Sequence, residues 1–394
     1  MYNQKAYALG NNQSTIRDLC AYGNMRAAIV GRENIYDYSI GKPSSPTPKE
    51  VDQTMREILE TMDSLEIHSY TSAQGDYETR KAIADDLGGR YGVQIDADEL
   101  FLGCGTSAEL AAVFNALAIP EGEILTIAPY FSEYTSFVEG AGLTLKVVPP
   151  DVPGFQIRLD MVEEMLTPNT LALIINSPNN PAGTVYTEDT LQRLAQLLRR
   201  KSREYGHPIY IVSDEPYREL VYGGVQVPFL PAIYPDTVIC YSYSKSLSLP
   251  GERIGYVYVP RAATDGKELL AAVAGASRAI GHICAPSLLQ KVIARCAHLR
   301  PDLEFYDRNR RALYEGLTAL GYETAKPDGA FYLFVKAPGG DANAFMEAAK
   351  KKDLLVVTGD IFGCPGYVRI CYCVSYDMIQ RSMPVFRELI ESYK

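Results

Sequence analysis

A single lysine, Lys245, stands where a predicted buried strand ends. It lies in the segment SYSKSLSLPGERIGY, just after the apolar run TVIC and eight residues before Arg253. The neighbouring residues are small, hydroxylated or apolar, whereas most lysines are solvated charges on a protein surface. Lys245 is therefore either an ordinary surface lysine or an amine held at a binding site, where it could act as a nucleophile or a base.

Other residues that could do chemistry also follow predicted strands. The run IYIVS leads into Asp214 and Tyr217, LALII leads into the turn NSPNNPAG with Asn180, and ILTIAP leads towards Phe131. In open α/β sheets, ligands bind beyond the carboxyl ends of the strands. We therefore predict that these side chains meet Lys245 in one crevice.

The loop GCGTSA follows the apolar run ELFL and matches the pattern GxGxxG/A between a strand and a helix. Gly105, Thr106 and Ser107 could hold a phosphate at the start of that helix, or the loop could be only a tight turn. Glu121 and Glu123 lie near the spacing of the acidic residue in a dinucleotide site. A nicotinamide-dependent oxidoreductase therefore stays a remote alternative.

Taken singly, the other candidates also have structural explanations. Asp214 could cap the segment that follows it, Tyr217 could belong to the core, and Asn180 lies in ordinary turn chemistry. Arg253 and Arg369 interrupt the apolar β-like patterns ERIGYVYV and GYVRICYCV. A buried arginine requires an anionic partner, which is either a ligand or a carboxylate of the protein itself.

The elements that must position these residues follow a βαβ pattern between about residues 99 and 260, which predicts a mostly parallel sheet. The clearest unit consists of a strand LALIIN, a helix TEDTLQRLAQLLRRKSREYG and a second strand IYIVSD. Thr187 is the predicted N-cap of this helix, and Gly206 ends it.

Composition changes near a Pro-rich passage, SIGKPSSPTPKEV, and near GHICAPSLLQ suggest two domains. We predict a large domain over residues 48–288. Residues 1–47 and 289–394 are predicted to form a smaller α+β domain with an N-terminal arm.

The composition excludes several classes of protein. The 394 residues carry a formal net charge of -10, and no long Lys/Arg-rich stretch is present, which argues against nucleic-acid binding. The eight cysteines are scattered without CxxC pairs, so reduced thiols are expected and neither a disulfide framework nor a metal site is predicted. No apolar segment has the length of a signal peptide or of a membrane span, and a cytoplasmic location is expected.

Together, these residues are the parts needed to hold pyridoxal phosphate as a Schiff base. They provide a phosphate-binding loop, an aromatic ring to stack on, an Asp for a ring nitrogen, a Tyr and an Asn for a phenolic oxygen, and a lysine. The cofactor explains why Lys245 stands at a strand end.

The sequence resembles the class I/II aminotransferases of the pyridoxal-phosphate-dependent fold type I superfamily over nearly its whole length. SYSKSLSLPGERIGY resembles the cofactor-lysine signature S-x-S-K-x(7)-R-x-G of that family, NSPNNPAG its N-P-x-N-P-x-G, DEPY its D-x-x-Y, and YVRICY its C-terminal substrate arginine. The resemblance implies transfer of an amino group between an L-amino acid and a 2-oxo acid. It also implies an α/β fold in which a large domain carries a mostly parallel seven-stranded sheet between helices, beside a smaller α+β domain.

The resemblance further implies roles for individual residues around the cofactor ring. Lys245 would form the Schiff base, and Asp214 would pair with the pyridine nitrogen. Asn180 and Tyr217 would hydrogen-bond the ring hydroxyl, and Phe131 would stack on the ring.

For the phosphate, the resemblance implies contacts from Gly105, Thr106, Ser107, Ser242, Ser244 and Arg253. Tyr70 resembles the tyrosine that reaches the phosphate of the neighbouring subunit, which implies a homodimer. Arg369 would bind the substrate α-carboxylate together with Asn180, and the Gly41 backbone would lie opposite.

The reaction is less narrowly implied than the cofactor. The superfamily also contains lyases and decarboxylases built on the same residues, such as cysteine-S-conjugate β-lyases, and these stay open as alternatives. Some members that act on acidic substrates have a lysine where this chain has Ser107, so aspartate is not implied as the substrate. A regulator that uses the fold to sense a ligand would normally add a DNA-binding segment, for which this acidic chain has no room.

Overall fold

The computed structural model describes residues 1–2, 4–11 and 15–394. Residues 3 and 12–14 of the predicted N-terminal arm lie outside the described residues. The strands of the described part are, in chain order, β1 (Tyr36–Asp37), β2 (Leu100–Gly103), β3 (Glu123–Ile127), β4 (Thr144–Val148), β5 (Thr170–Asn176), β6 (Tyr210–Asp214), β7 (Thr237–Ser242), β8 (Gly255–Tyr258), β9 (Tyr332–Lys336), β10 (Leu354–Leu355), β11 (Val357–Thr358) and β12 (Tyr367–Cys371).

The helices of the same described part surround these strands. They are α1 (Gln4–Asn11), α2 (Thr15–Val30), α3 (Lys49–Thr61), α4 (Ser64–His68), α5 (Tyr77–Tyr91), α6 (Thr106–Leu117), α7 (Tyr134–Gly140), α8 (Leu159–Met165), α9 (Glu188–Tyr205), α10 (Leu230–Ile233), α11 (Tyr243–Ser246), α12 (Gly266–Ala279), α13 (Ser287–Cys296), α14 (Leu303–Leu320), α15 (Ala342–Lys350) and α16 (Tyr376–Glu391), with short 3₁₀ helices at Arg32–Asn34, Ala97–Glu99 and Gly359–Phe362.

The large sheet contains seven strands of the described chain in the order β2-β8-β7-β6-β5-β3-β4. Strand β8 runs antiparallel to both of its neighbours, and the other pairings are parallel. The mostly parallel seven-stranded sheet predicted from the sequence is therefore confirmed. Because β2, β3, β5, β6 and β7 point the same way, their carboxyl ends share one edge of the sheet.

Alternating side chains of the large sheet enter hydrophobic cores on its two faces. On one face Val212 and Val238 pack with residues of α6 and α12, and on the other Leu173 and Ile211 pack with residues of α9. Burial on both faces explains why these strands read as nearly continuous apolar runs. It also fixes the strand register, since a shift by one residue would exchange the two faces.

Helix α9 begins and ends as its sequence predicts. The Thr187 hydroxyl accepts a hydrogen bond from the Thr190 N–H at 3.2 Å, and Gly206 follows the last turn. Leu191, Leu194 and Leu198 are buried on its inner face. The helix thereby covers β5 and β6, whose ends carry Asn176 and Asp214.

A second, smaller sheet forms from strands near the end of the chain. Strand β12 lies between β11 and β9 and is antiparallel to both, while β1 pairs in parallel with β10. Helices α14 and α16 contribute buried residues to the same core as β9 and β12. This pairing brings residues 36–37 of the N-terminal region to the C-terminal part of the chain.

The division at residues 288/289 stays a prediction, and it would cut through helix α13. Leu289, Val292 and Ile293 of that helix lie in the same core as Ile83 and Leu87 of α5. By its packing, α13 therefore joins the elements of the large sheet. Among the described residues, no helix is long and apolar enough to cross a membrane. The cytoplasmic location stays a prediction.

Candidate active site

A cavity of about 280 Å³ opens where the carboxyl edge of the large sheet faces the small sheet. Side chains from both sheets line it, together with Ile16 from α2. The predicted site residues on its lining are Gly41, Thr106, Ser107, Phe131, Asn180, Asp214, Tyr217, Ser242, Ser244, Lys245, Arg253 and Arg369. The side chains that the sequence predicted to converge therefore do share one cavity.

Lys245 lies in the short helix α11, directly after β7. Its Nζ donates a hydrogen bond to the Gly41 carbonyl at 2.8 Å. Burial lowers the pKa of the Lys245 amine below that of an ordinary lysine, and the positive charges of Arg253 and Arg369 act in the same direction. Lys245 is thus a cavity-lining amine and not a solvated surface charge.

Asp214 ends β6 with its carboxylate inside the protein. Its Oδ2 accepts a hydrogen bond from the Tyr134 hydroxyl at 2.6 Å, whereas its buried Oδ1 has no hydrogen-bond partner among the described residues. Burial raises the pKa of Asp214 to about 7, and the bond from Tyr134 opposes that rise. A buried carboxylate oxygen without a donor is costly, so this oxygen calls for a cationic donor in the cavity.

Arg369 lies in β12 and is 2% exposed. Its Nη1 donates to Asn180 Oδ1 at 3.0 Å and its Nη2 to the Ser39 carbonyl at 2.7 Å. Its guanidinium carbon is 4.9 Å from the ring centres of both Tyr332 and Phe362. Within the described chain, no carboxylate lies within ion-pair distance of Arg369. The alternative of an internal ion pair is therefore not supported, and the guanidinium is available to an anion.

Arg253 lies with its side chain against Gly105 in the loop GCGTSA. It precedes β8 in a turn, with a φ of 54°, and so does not lie inside the strand as its apolar surroundings suggested. Its Nη1 donates to the Pro250 carbonyl at 3.0 Å. Gly105 has a φ of 86°, and a Cβ built there would lie 2.8 Å from Nη2 of Arg253. The absence of a side chain at Gly105 therefore lets the arginine approach the first turn of α6.

Three lining or supporting residues were not found by sequence reasoning. Tyr332 of β9 forms a 2.8 Å hydrogen bond with the hydroxyl of Tyr217. Asn176 accepts a bond from the Asn180 N–H at 2.7 Å and donates to the Asp214 carbonyl at 2.8 Å, and Tyr134 binds the Asp214 carboxylate. Asn176 could have been found, because it directly ends a predicted strand beside Asn180.

Two predicted residues lie off the cavity lining. Gly105 is in the loop just before Thr106 and has no side chain that could line the cavity. Tyr70 follows α4, and its side chain is 91% exposed. The structure does not bring Tyr70 into the cavity of its own chain. Gly41 does line the cavity, and a Cβ there would overlap the hydroxyl of Tyr332.

Residues 33–383 match the family model described as aminotransferase class I and II. The chain belongs to this family. Its members depend on pyridoxal phosphate, and the protein is a pyridoxal-phosphate-dependent aminotransferase. The aminotransferase is 28% identical to the aspartate aminotransferase of Thermotoga maritima over 372 residues, which cover 93% of this chain and 94% of the relative. It is 30% identical to the aspartate/prephenate aminotransferase of Thermus thermophilus over 381 residues, which cover 93% and 94%.

Solved structures give the same picture of the aminotransferase. The crystal structure of an amino transferase from Eubacterium rectale superposes with a TM-score of 0.98 at 53% identity and covers 100% of this chain and 99% of that one. The aspartate aminotransferase of Thermus thermophilus with maleate superposes with a TM-score of 0.85 at 27% identity and covers 99% and 100%. The relatives give no support to a lyase, a decarboxylase or a nicotinamide-dependent oxidoreductase.

The pKa of Asp214 predicts a pH-dependent stability of the cofactor-free aminotransferase. Because the carboxyl binds its proton more tightly in the folded than in the unfolded state, the free energy of unfolding falls as the pH rises from about 4 to about 7. Relative to Asp214→Asn, this fall should reach about 1 kcal/mol per pH unit. Urea unfolding of both proteins between about pH 5 and about pH 7 measures the difference. Parallel pH profiles for the two proteins would contradict the raised pKa.

Proposed function

We propose that pyridoxal phosphate binds covalently through Lys245 in this cavity and that the enzyme transfers amino groups between L-amino acids and 2-oxo acids. The observation that carries the proposal is the unpartnered Oδ1 of Asp214 in the same cavity as the enclosed Lys245 amine. A pyridinium N–H is the kind of cationic donor that this oxygen lacks. The residues present therefore fit the cofactor of the family.

The opposite end of the cavity fits a phosphate. Thr106 and Ser107 begin α6, so its N-terminal N–H groups and partial positive charge face the lining. Arg253 adds a full positive charge, and Ser242 and Ser244 add hydroxyl groups. We propose that these residues and the Gly105 backbone hold the phosphate group.

The ring would lie between these two ends. Phe131 lines the cavity and is fixed edge-on against Tyr134, with ring centres 5.6 Å apart. We propose that Phe131 stacks on one face of the cofactor ring. Asn180 and Tyr217 would donate hydrogen bonds to the ring hydroxyl, and Tyr332 would orient Tyr217 through the bond between their hydroxyl groups.

Bound pyridoxal phosphate would supply an electron-accepting ring that stabilises negative charge on the substrate α-carbon. Asp214 keeps the ring nitrogen protonated, because its buried carboxylate is stabilised by a positive charge beside it. Lys245, whose pKa burial lowers, can take the α-proton at Nζ in its neutral form and later return it. The position of Lys245 Nζ in the cavity determines the atoms between which it can transfer the proton.

Arg369 would bind the substrate α-carboxylate. Its guanidinium is buried, is held by Asn180 and Ser39, and has an Nε that no described residue accepts from. Two anchors, the phosphate site and Arg369, would fix which substrate bond stands perpendicular to the ring. The Gly41 backbone would lie on the opposite side of the substrate.

The proposal predicts the attachment site of the cofactor. Borohydride reduction of the purified enzyme should fix pyridoxal phosphate to Lys245, and peptide mass analysis should find the label there. Lys245→Ala should give no label at this peptide. Lys42 is the matched internal control, since it is one residue from Gly41 and lies outside the cavity lining. Label on Lys42 instead, or none on reconstituted enzyme, would refute the proposal.

Arg369→Lys should damage substrate binding specifically. The lysine keeps the charge but loses the two-pronged geometry, so kcat/KM for amino and oxo acids should fall by roughly one to three orders of magnitude. Amines that lack a carboxylate should lose much less. Half-reactions of an amino acid and of its decarboxylated amine in both proteins give the ratio.

The control for Arg369→Lys is Arg387→Lys, which makes the same change on an exposed part of α16. It should leave the rates for both compounds unchanged. If the amino acid and the amine lose rate equally in Arg369→Lys, the arginine does not bind the carboxylate.

We also propose a homodimer in which Tyr70 reaches the phosphate of the neighbouring subunit. Its 91% exposure and its position outside its own cavity support this arrangement. Tyr70→Phe should weaken binding of pyridoxal phosphate by about tenfold, because it removes a hydrogen bond to a charged group. Tyr77→Phe, at another exposed tyrosine, is the matched control.

Hybrids of Tyr70→Phe and Lys245→Ala subunits test whether Tyr70 acts across the interface. Each hybrid dimer then has one site with both Lys245 and the neighbour's Tyr70, so mixing should restore cofactor affinity and activity at that site. If Tyr70 acts within its own chain, no site contains both residues and mixing restores nothing.

A further inference from the structure

Two cysteines lie side by side next to the cavity, and the activity described above does not use them. Cys371 ends β12, and Cys373 follows two residues later, on the same side of the chain as Arg369 because strand side chains alternate. Their sulfur atoms are 2.7 Å apart, and the residues are 0% and 5% exposed. Two thiols in direct contact are a potential disulfide.

The charges around this pair favour a thiolate on one of the two sulfurs. Burial acts to raise the pKa of Cys371, but the adjoining Cys373 and the positive charges of Arg369 and Lys245 lower it overall. Burial raises the pKa of Cys373, and the neighbouring Cys371 adds to the rise. The pair therefore places the more acidic thiol of Cys371 in contact with the less acidic thiol of Cys373, an arrangement from which a disulfide can form.

Four other cysteines, of which Cys104 is only partly buried, lack these features. Burial raises the pKa of Cys104, Cys240, Cys296 and Cys364, which keeps them in the less reactive thiol form. Cys104 donates a hydrogen bond to the backbone carbonyl of Cys284 at 3.7 Å and not to its sulfur. Oxidation to a disulfide should therefore distinguish Cys371 and Cys373 from Cys104, Cys240, Cys296 and Cys364.

The pair also contacts the segment that holds Lys245 and Arg369. We name residues 38–41 the clasp segment. Each of its four carbonyl groups accepts a hydrogen bond. The carbonyl of residue 38 accepts from the Cys371 N–H at 3.0 Å, and the carbonyl of residue 39 accepts from Arg369 at 2.7 Å. The carbonyl of residue 40 accepts from the Cys373 thiol at 3.5 Å, and the carbonyl of residue 41 accepts from Lys245 at 2.8 Å. The thiol of Cys373 is thus one of four donors that fasten this segment.

We propose that Cys371 and Cys373 form a redox modification site, at which a peroxide closes a disulfide that weakens binding of the substrate carboxylate. The Cys371 thiolate attacks one peroxide oxygen, which breaks the O–O bond and gives a sulfenic acid and, with hydrogen peroxide, hydroxide. The Cys373 sulfur then attacks the Cys371 sulfur, a water molecule leaves, and the S–S bond forms. Overall, two thiols lose two protons and two electrons, and one hydrogen peroxide is reduced to two water molecules.

The disulfide changes the site because it removes a donor. Once Cys373 has lost its S–H, the carbonyl of Ile40 loses its partner, and the clasp segment is held less firmly beside Arg369. The lost anchoring should raise KM for amino acids by about 2- to 10-fold, the equivalent of one hydrogen bond. A small thiol should reverse the change by reducing the disulfide.

The chemical test does not depend on the proposed function, because it follows the cysteines and not the reaction. The intact enzyme is treated with hydrogen peroxide, remaining thiols are alkylated, and tryptic peptides are weighed. Cleavage after Arg369 and Arg381 gives a peptide, residues 370–381, whose only cysteines are Cys371 and Cys373. This peptide should become two hydrogen atoms lighter and resist alkylation, while the peptide that contains Cys364 stays reduced.

The matched variant is Cys371→Ser/Cys373→Ser, since a serine hydroxyl at position 373 can still donate to the Ile40 carbonyl. It should keep the starting KM and lose its response to peroxide. Phenylarsine oxide, which bridges neighbouring thiols, should bind the unmodified enzyme once and protect it from peroxide, and this measurement stands if the variant fails to fold. A reduced peptide 370–381 after treatment, or an equal rise in KM in the double variant, would overturn the proposal.

Discussion

The burial of charged groups whose hydrogen bonds are incomplete is the constraint on which this site depends. Asp214 is 4% exposed and Arg369 is 2% exposed, yet each retains a polar atom that no described residue satisfies. Leaving such groups unpaired costs several kcal/mol each. The two charges are complementary to a ligand that carries a cationic group, which would face Asp214, and a carboxylate, which would face Arg369.

Asp214 lies in the large sheet and Arg369 in the small sheet. Parallel strands of the large sheet deliver Asp214 and Lys245 to one edge, where burial on both faces leaves little freedom of register. The small sheet delivers Arg369 from an antiparallel strand, where Phe334 of β9 lies directly opposite it and Tyr332 is its diagonal neighbour. Because the cavity lies between the sheets, a change in their relative position would alter the distance between Arg369 and Lys245.

Much of this site could be predicted because strand ends are visible in the sequence. Asp214, Asn180 and Lys245 each follow a short apolar run, and parallel topology then brings them together without further information. The same logic predicted the start and end of α9, since capping is local. Strand ends and helix caps depend on residues that are close in the sequence, so a single amino-acid sequence is enough to predict them.

The residues that sequence reasoning missed are fixed by contacts across long distances in the chain. Tyr134 meets Asp214 from 80 residues away, and Tyr332 meets Tyr217 from 115 residues away. Tyr332 lies in the apolar stretch AFYLFV, where an aromatic core residue is the ordinary interpretation, and Tyr134 lies in the mixed stretch FSEYTSF, which carries no clear signal. Their hydroxyl groups become informative only once a buried acceptor is known to lie opposite.

The clasp segment connects two residues that are distant in the chain, Lys245 and Arg369. Lys245 and Arg369 come from different sheets, yet both donate to carbonyl groups of the same four residues, at positions 41 and 39. Backbone carbonyls separated by only two residues cannot move independently, so the position of one cation constrains the other. Under the proposed function, a substrate carboxylate that shifted Arg369 would therefore also shift the segment that binds the Lys245 amine. Gly41 permits this arrangement because a Cβ there would overlap the Tyr332 hydroxyl, so the Tyr332 side chain would have to move.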